Sequence, residues 1–287
     1  MNQLDGVAVL FNRSISNSFF VCFLLWHGSL AAATVQVLVS PAWLQSGGER
    51  HPLKPGVLLK ADDVIETGLG GRVRLVLEEG VLLKLGSDSR LLFQAHDLTL
   101  LSGVVRLKVK QKHRDSAVYR LFSQGRPTLS VPQGTEVWLK RTINSWRTCR
   151  VKGMLMVEKS PASGFILNRP RHCYEWLADA AQGQFRYLSK ARMKTRLQEV
   201  NTVKDQGLLI KGGSWVAYLG QFRGRGGERL LLRLQQQGYP VEREMAYFSG
   251  EEWQRLMIRG FYEESEALAF VRRHRSWSSK KMWVEEQ

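Results

Sequence analysis

Ser214-Trp215-Val216-Ala217-Tyr218-Leu219-Gly220-Gln221-Phe222 alternates between two sets of side chains, the period of a strand with two unlike faces. The glycine-rich turn Gly224 to Gly227 follows it. From Glu228 the spacing changes: Leu230, Leu231 and Leu234 make an apolar helical stripe that Gly238 closes. Tyr239-Pro240 leads into a second strand, Val241 to Tyr247, and Trp253 to Ile258 is a third. In that third strand Leu256 and Ile258 share one side, Arg255 and Met257 the other. Glu263 to Arg275 reads as a second amphipathic helix, burying Ala267, Leu268, Phe270 and Val271, and Lys281 to Glu285 as a last strand. Strand, helix, strand, strand, helix, strand in about 70 residues predicts a small α+β domain. Both helices can cover one side of a four-stranded antiparallel sheet. The other side, carrying Tyr218, Trp253, Arg255 and Met257, then has the make-up of a binding platform.

This segment resembles a SPOR domain, the bacterial module that recognises septal peptidoglycan. The family opens on aromatic-Val-Gln-hydrophobic-Gly-Ser-Phe, and the same positions here read Ala217-Tyr218-Leu219-Gly220-Gln221-Phe222. Its later Arg-Val-x-Val-Gly-Pro-Phe stands here as Arg255-Leu256-Met257-Ile258-Arg259-Gly260-Phe261. Tyr218 replaces the usual Gln, Gln221 the usual Ser, and Arg259-Gly260 the usual Gly-Pro. The resemblance implies a βαββαβ, ribonucleoprotein-like fold over 212–287. It also implies a ligand, glycan strands from which stem peptides have been removed. Carried over residue by residue, the contacts are Tyr218, Gln221, Trp253, Arg255, Met257 and Trp283. An alternative stays open for three of them: Trp253 and Trp283 as core, Arg255 as merely solvated.

The whole chain has 287 residues and a formal net charge of +16, which attracts polyanions of any kind: nucleic acid, anionic lipid or anionic cell-wall polymer. Compartment decides between them. Phe19 to Trp26 is a short apolar run, and Ala31-Ala32-Ala33 supplies small residues of the type found at an export cleavage site. Residues 1–33 therefore read as a signal peptide; an uncleaved membrane anchor is the alternative. Both place the bulk of the chain outside the cytoplasm, in the periplasm.

From Val35 to Ile166 short strand patterns follow one another with frequent glycine turns, which predicts an all-β roll or sandwich. The region resembles the FecR domain. Its Gly-Asp-x-Ile-x-Thr-Gly-x-x-Gly block stands as Ala61-Asp62-Asp63-Val64-Ile65-Glu66-Thr67-Gly68-Leu69-Gly70. Later steps stand at Leu101-Ser102-Gly103, Val131-Pro132-Gln133-Gly134-Thr135 and Val151-Lys152-Gly153. The best-known members control a sigma factor through a cytoplasmic helical segment, which has no counterpart here. The resemblance thus implies a scaffold or protein-binding module over 34–167. Residues 168–211 read as a helical connector ending in a hinge at Lys211-Gly212-Gly213.

Outside the export segment the cysteines are Cys149 and Cys173, an even pair in an oxidising compartment. They form a disulfide, or else stay reduced and buried. The six histidines are scattered and none opens a metal motif, so neither metal nor cofactor is expected. Asp62-Asp63 and Glu78-Glu79 flank turns, and no nucleophile elbow is present. The expected class is a non-enzyme that binds peptidoglycan at the division septum, with other envelope or division proteins as further partners. The alternative is an envelope signalling or docking factor of FecR type without glycan binding. RNA-recognition domains share the strand and helix order, but the export signal and the third strand oppose nucleic acid as a partner.

Overall fold

The computed structural model describes residues 33–78, 80–94, 97–111, 118–122, 127–160, 163–177, 182–201 and 208–287. The signal peptide expected over 1–33, apart from Ala33, lies outside the described residues, as does Glu79 of the Glu78-Glu79 pair. Among the described residues strands dominate, with three short α-helices.

One long strand, Asp97–Val109, holds the N-terminal part together. Its first half pairs with Arg90–Gln94 and, in parallel, with Tyr119–Phe122. Its second half pairs with Val81–Leu85 and Glu136–Arg141. The change of sheet falls at Gly103, which has φ +90°, and a Cβ there would lie 2.1 Å from Ser89 Oγ. Only glycine fits both demands. The strand is thereby shared between two facing sheets of a sandwich. The first sheet runs Gln184–Tyr187, His172–Leu177, Ser145–Lys152, Glu136–Arg141, the second half of the long strand, Val81–Leu85, Arg72–Glu78 and Ala33–Ser40. The second runs Glu49–Pro52, Ala42–Ser46, Val64–Thr67, Arg90–Gln94, the first half, Tyr119–Phe122, Thr128–Val131, Leu155–Ser160 and Ser163–Leu167. Alternate residues point inward, so Leu75, Leu83, Leu107 and Leu139 meet Leu91, Leu98, Leu121 and Val157 in one core. Each such side chain contributes about 1.5–3 kcal/mol by leaving water.

The Asp63 to Gly71 block serves the turns of this sandwich. Lys60 N donates to Asp63 Oδ2 at 2.8 Å, and buried Thr67 Oγ1 donates to Gly86 O at 2.6 Å and accepts from Ser89 N at 2.9 Å. A Cβ at Gly71 would come within 2.1 Å of Pro41 O.

Residues 168–211 differ from the expected helical connector. Among its described residues two strands, His172–Leu177 and Gln184–Tyr187, extend the first sheet, and one helix, Lys190–Gln198, follows. The two-residue spacing of Tyr174 and Trp176, and of Phe185 and Tyr187, is strand spacing. Pairing with Ser145–Lys152 decides the matter, because it sets Cys149 opposite Cys173 and Glu175 opposite Arg147. The first two are disulfide-bonded and the second two form an ion pair. Tyr174 packs against Trp146, Phe165 and Phe185. The helix starts where Ser189 Oγ accepts from Arg192 N at 3.3 Å, and it buries Met193 on Val104, Trp138, Cys149 and Cys173.

The C-terminal part contains, in order, strand Gly213–Arg223, helix Glu228–Gln236, strands Glu242–Phe248 and Glu251–Gly260, helix Glu264–Arg273 and strand Trp283–Glu286. In the sheet Glu251–Gly260 and Gly213–Arg223 are central, with Glu242–Phe248 and Trp283–Glu286 at the edges. Leu231 and Leu234 from one helix, and Ala267, Phe270 and Val271 from the other, pack with Ala217, Leu219, Leu256 and Ile258. Both helices therefore cover the same side. Leu208–Ile210, just before this part, is a strand paired with Ala33–Ser40. At Lys211-Gly212-Gly213, Lys211 N donates to Gly260 O at 3.0 Å. Nearby, Ala42 N donates to Gly238 O at 3.3 Å and Lys54 Nζ bonds Glu242 at 2.7 Å.

Candidate functional site

The register of the C-terminal sheet brings all six expected residues to its helix-free face. Tyr218 is opposite Met257 on one side and Trp283 on the other, while Gln221 is opposite Arg255. Simple alternation would send Tyr218 and Gln221 to opposite faces. A bulge between Tyr218 and Gly220 restores them to one. Gly220 takes φ +144° there, and its missing side chain leaves room for Lys280. Trp253, Arg255 and Met257 follow one another at two-residue spacing along the central strand.

These residues form two layers. Tyr218 and Met257 are each only 1% exposed, and with Val216 they make an apolar floor. The Trp283 ring lies parallel to that of Tyr218 at 4.6 Å, and its Nε1 donates to Glu285 Oε1 at 2.8 Å. Tyr218 hydroxyl accepts from Gln287 Nε2 at 2.8 Å. Burial, reinforced by the Glu285 and Glu244 carboxylates, holds the phenol above its ordinary pKa, so it stays neutral. Half-buried Gln221, Trp253, Arg255 and Trp283 are the residues that reach the surface. Tyr218 and Met257 thus support the face from below rather than line it.

Charges on this face occur in pairs of opposite sign. Glu242 and Glu244 alternate along the edge strand and stand beside the arginines of Glu251–Gly260. Arg259 Nε donates to Glu242 Oε2 at 3.1 Å, and its Nη2 lies 3.7 Å from Glu244 Oε1. Arg255 Nη1 is 3.9 Å from Glu244 Oε2, a looser contact. Arg223 pairs with Glu251. The two glutamates were absent from the residues expected from sequence. Their two-residue spacing in Val241 to Tyr247 was the available signal, and the register shows what they face.

No protein-family model and no curated protein matches this chain. Two crystal structures of a candidate anti-sigma factor from Parabacteroides distasonis ATCC 8503, at 2.50 Å and 1.65 Å resolution, are similar in fold to part of it. Each has 12% sequence identity and a TM-score of 0.40, with 47% of this chain covered. This chain spans 64% of the length of those chains. At that score the likeness assigns no role to any residue.

Proposed function

We propose that this is a non-catalytic envelope protein that binds glycan strands of peptidoglycan lacking stem peptides, through the helix-free face of its C-terminal sheet. The sandwich then acts as scaffold or protein-interaction module, in the periplasm and enriched at the septum. The observation that carries the reading is the convergence of Gln221, Trp253, Arg255 and Trp283 over an apolar floor. Removing the peptide exposes a carboxylate on each muramic acid. A guanidinium can hold that carboxylate with two parallel hydrogen bonds, and indole rings suit sugar C–H faces. Arg255 is the group for this task, because it reaches the surface on the same strand and face as Trp253, opposite Gln221.

A second reading, an envelope signalling or docking factor, draws support from the matched charges of the same face. Arg259 and Arg223 already have carboxylate partners, and a mixed-sign surface suits a protein partner better than a polyanion. Neither reading involves nucleic acid, and a membrane enters only if residues 1–33 stay attached. Binding of the purified protein to denuded sacculi, compared with intact sacculi, separates the two. Preference for denuded sacculi, lost in Arg255→Ala, supports the glycan; equal or no retention favours docking.

A further inference from the structure

The outer face of the first sandwich sheet carries a row of cations set side by side. Arg74 is opposite Lys84, and Lys84 is opposite Arg106, on three neighbouring strands. Lys108 follows Arg106 on the same strand and same face. Strands lie about 4.8 Å apart, so these four charges crowd within roughly 10 Å, and like charges set directly opposite destabilise a sheet. Among the described residues Glu136, paired with Arg106, is the one carboxylate that acts on Lys84. Lys84 Nζ donates to Asn201 Oδ1 at 3.0 Å, and Arg74 Nε is buried without a hydrogen-bond partner. Arg106 and Asn201 also line an adjoining cleft of about 400 Å³, whose other walls include Arg171, Lys190 and Lys194.

We propose that Arg74, Lys84, Arg106 and Lys108 bind one phosphate group of a phosphate-bearing polyanion, whose next phosphate enters the cleft at Arg171, Lys190 and Lys194. A single carboxylate brings one charge and two oxygens in a plane. A phosphate brings up to two charges and three acceptor oxygens spread in space, which matches donors arriving from three strands. Arginine forks and lysine point charges side by side complete that match. Burial and the charges of Arg74, Arg106 and Lys108 lower the Lys84 pKa to about 8, and an arriving anion favours its charged form. This site is separate from the C-terminal face and independent of the function proposed for it.

The test is calorimetric titration of the purified full chain with sodium tripolyphosphate, against sulfate and polyglutamate at equal ionic strength. Tripolyphosphate is expected to bind at least about tenfold more tightly than either control, and Lys84→Met to lose about tenfold or more of that affinity. The unliganded Lys84→Met protein should melt at the same temperature or higher, since one member of a repelling row is gone. Arg74→Gln provides the same reading if Lys84→Met does not fold. Lys84-dependent capture by phosphatidic acid vesicles over phosphatidylcholine vesicles places the phosphate on a lipid; tripolyphosphate binding without capture places it in solution. Equal affinity for polyglutamate, affinity no better than sulfate, or unchanged affinity in both variants overturns the proposal. Sacculus binding should be the same in Lys84→Met and parent, so failure here and failure of the glycan reading are told apart.

Discussion

On the C-terminal sheet, Arg255 and Arg259 stand one strand away from Glu244 and Glu242; on the outer face of the sandwich, Lys84 stands one strand away from Arg74 on one side and Arg106 on the other. The first arrangement satisfies itself. A ligand there must displace an existing contact, so affinity rests on shape and on aromatic area more than on charge. The second is short of negative charge, so attraction there acts at range and weakens as salt is raised. The formal charge of +16 therefore says little about the C-terminal face.

The contrast breaks most visibly at the floor. Tyr218→Ala removes a buried ring stacked under Trp283 and should cost about 3–5 kcal/mol in chemical denaturation. A cost below 1 kcal/mol would mean that Tyr218 faces ligand rather than supporting the sheet. The disulfide is next, because it ties Ser145–Lys152 to His172–Leu177 in the sheet that carries the basic row. Replacing Cys149 and Cys173 by Ala should cost about 2–4 kcal/mol, and melting with and without reductant checks it. Arg255→Ala should weaken binding to denuded glycan by about 1.5–3 kcal/mol with thermal unfolding unchanged. Arg243→Ala, exposed and on the other side of the sheet, should change neither.

The smallest effect belongs to pH and sharpens the comparison most. Lys84 has a folded pKa near 8, below its ordinary 10.5, with burial first and then Arg74, Arg106 and Lys108 lowering it and Glu136 opposing them. Between those values the unfolded chain binds more protons, so stability should rise as pH rises from 8 to 10.5. Lys84 is partly exposed, and the slope should stay well below the ~1.4 kcal/mol per pH unit of one full proton. Lys84→Met should flatten that part of the profile. An unchanged profile would show that the row is better screened than its geometry implies.

Much of the C-terminal part was legible because its periodicity switches between 2 and 3.6, with Gly and Pro marking the changes. Trp253 and Arg255 could be placed on one face from their spacing alone. Gln221 needed the Gly220 bulge, which alternation does not reveal. The strands His172–Leu177 and Gln184–Tyr187 are not legible locally because a strand's partner lies elsewhere in the chain: Cys173 finds Cys149 24 residues upstream, and the aromatic cluster exists only after that pairing. The same limit hid both charge patterns. Arg74, Lys84 and Arg106 belong to three separate strands, as do Glu244 and Arg255 to two, and only register makes neighbours of them.

The strand Leu208–Ile210 closes the sandwich from the far end of the sequence. It covers Leu38 to Ser40, at the very start of the described chain, and leads at once into the C-terminal sheet. During synthesis that first edge is made early and its neighbour about 170 residues later, roughly ten seconds or more at ordinary elongation rates. Until then the edge offers unpaired backbone groups to any other extended chain. The order of manufacture therefore gives this protein a window in which a holding partner would protect it. Truncation before residue 208 would leave that window open for good.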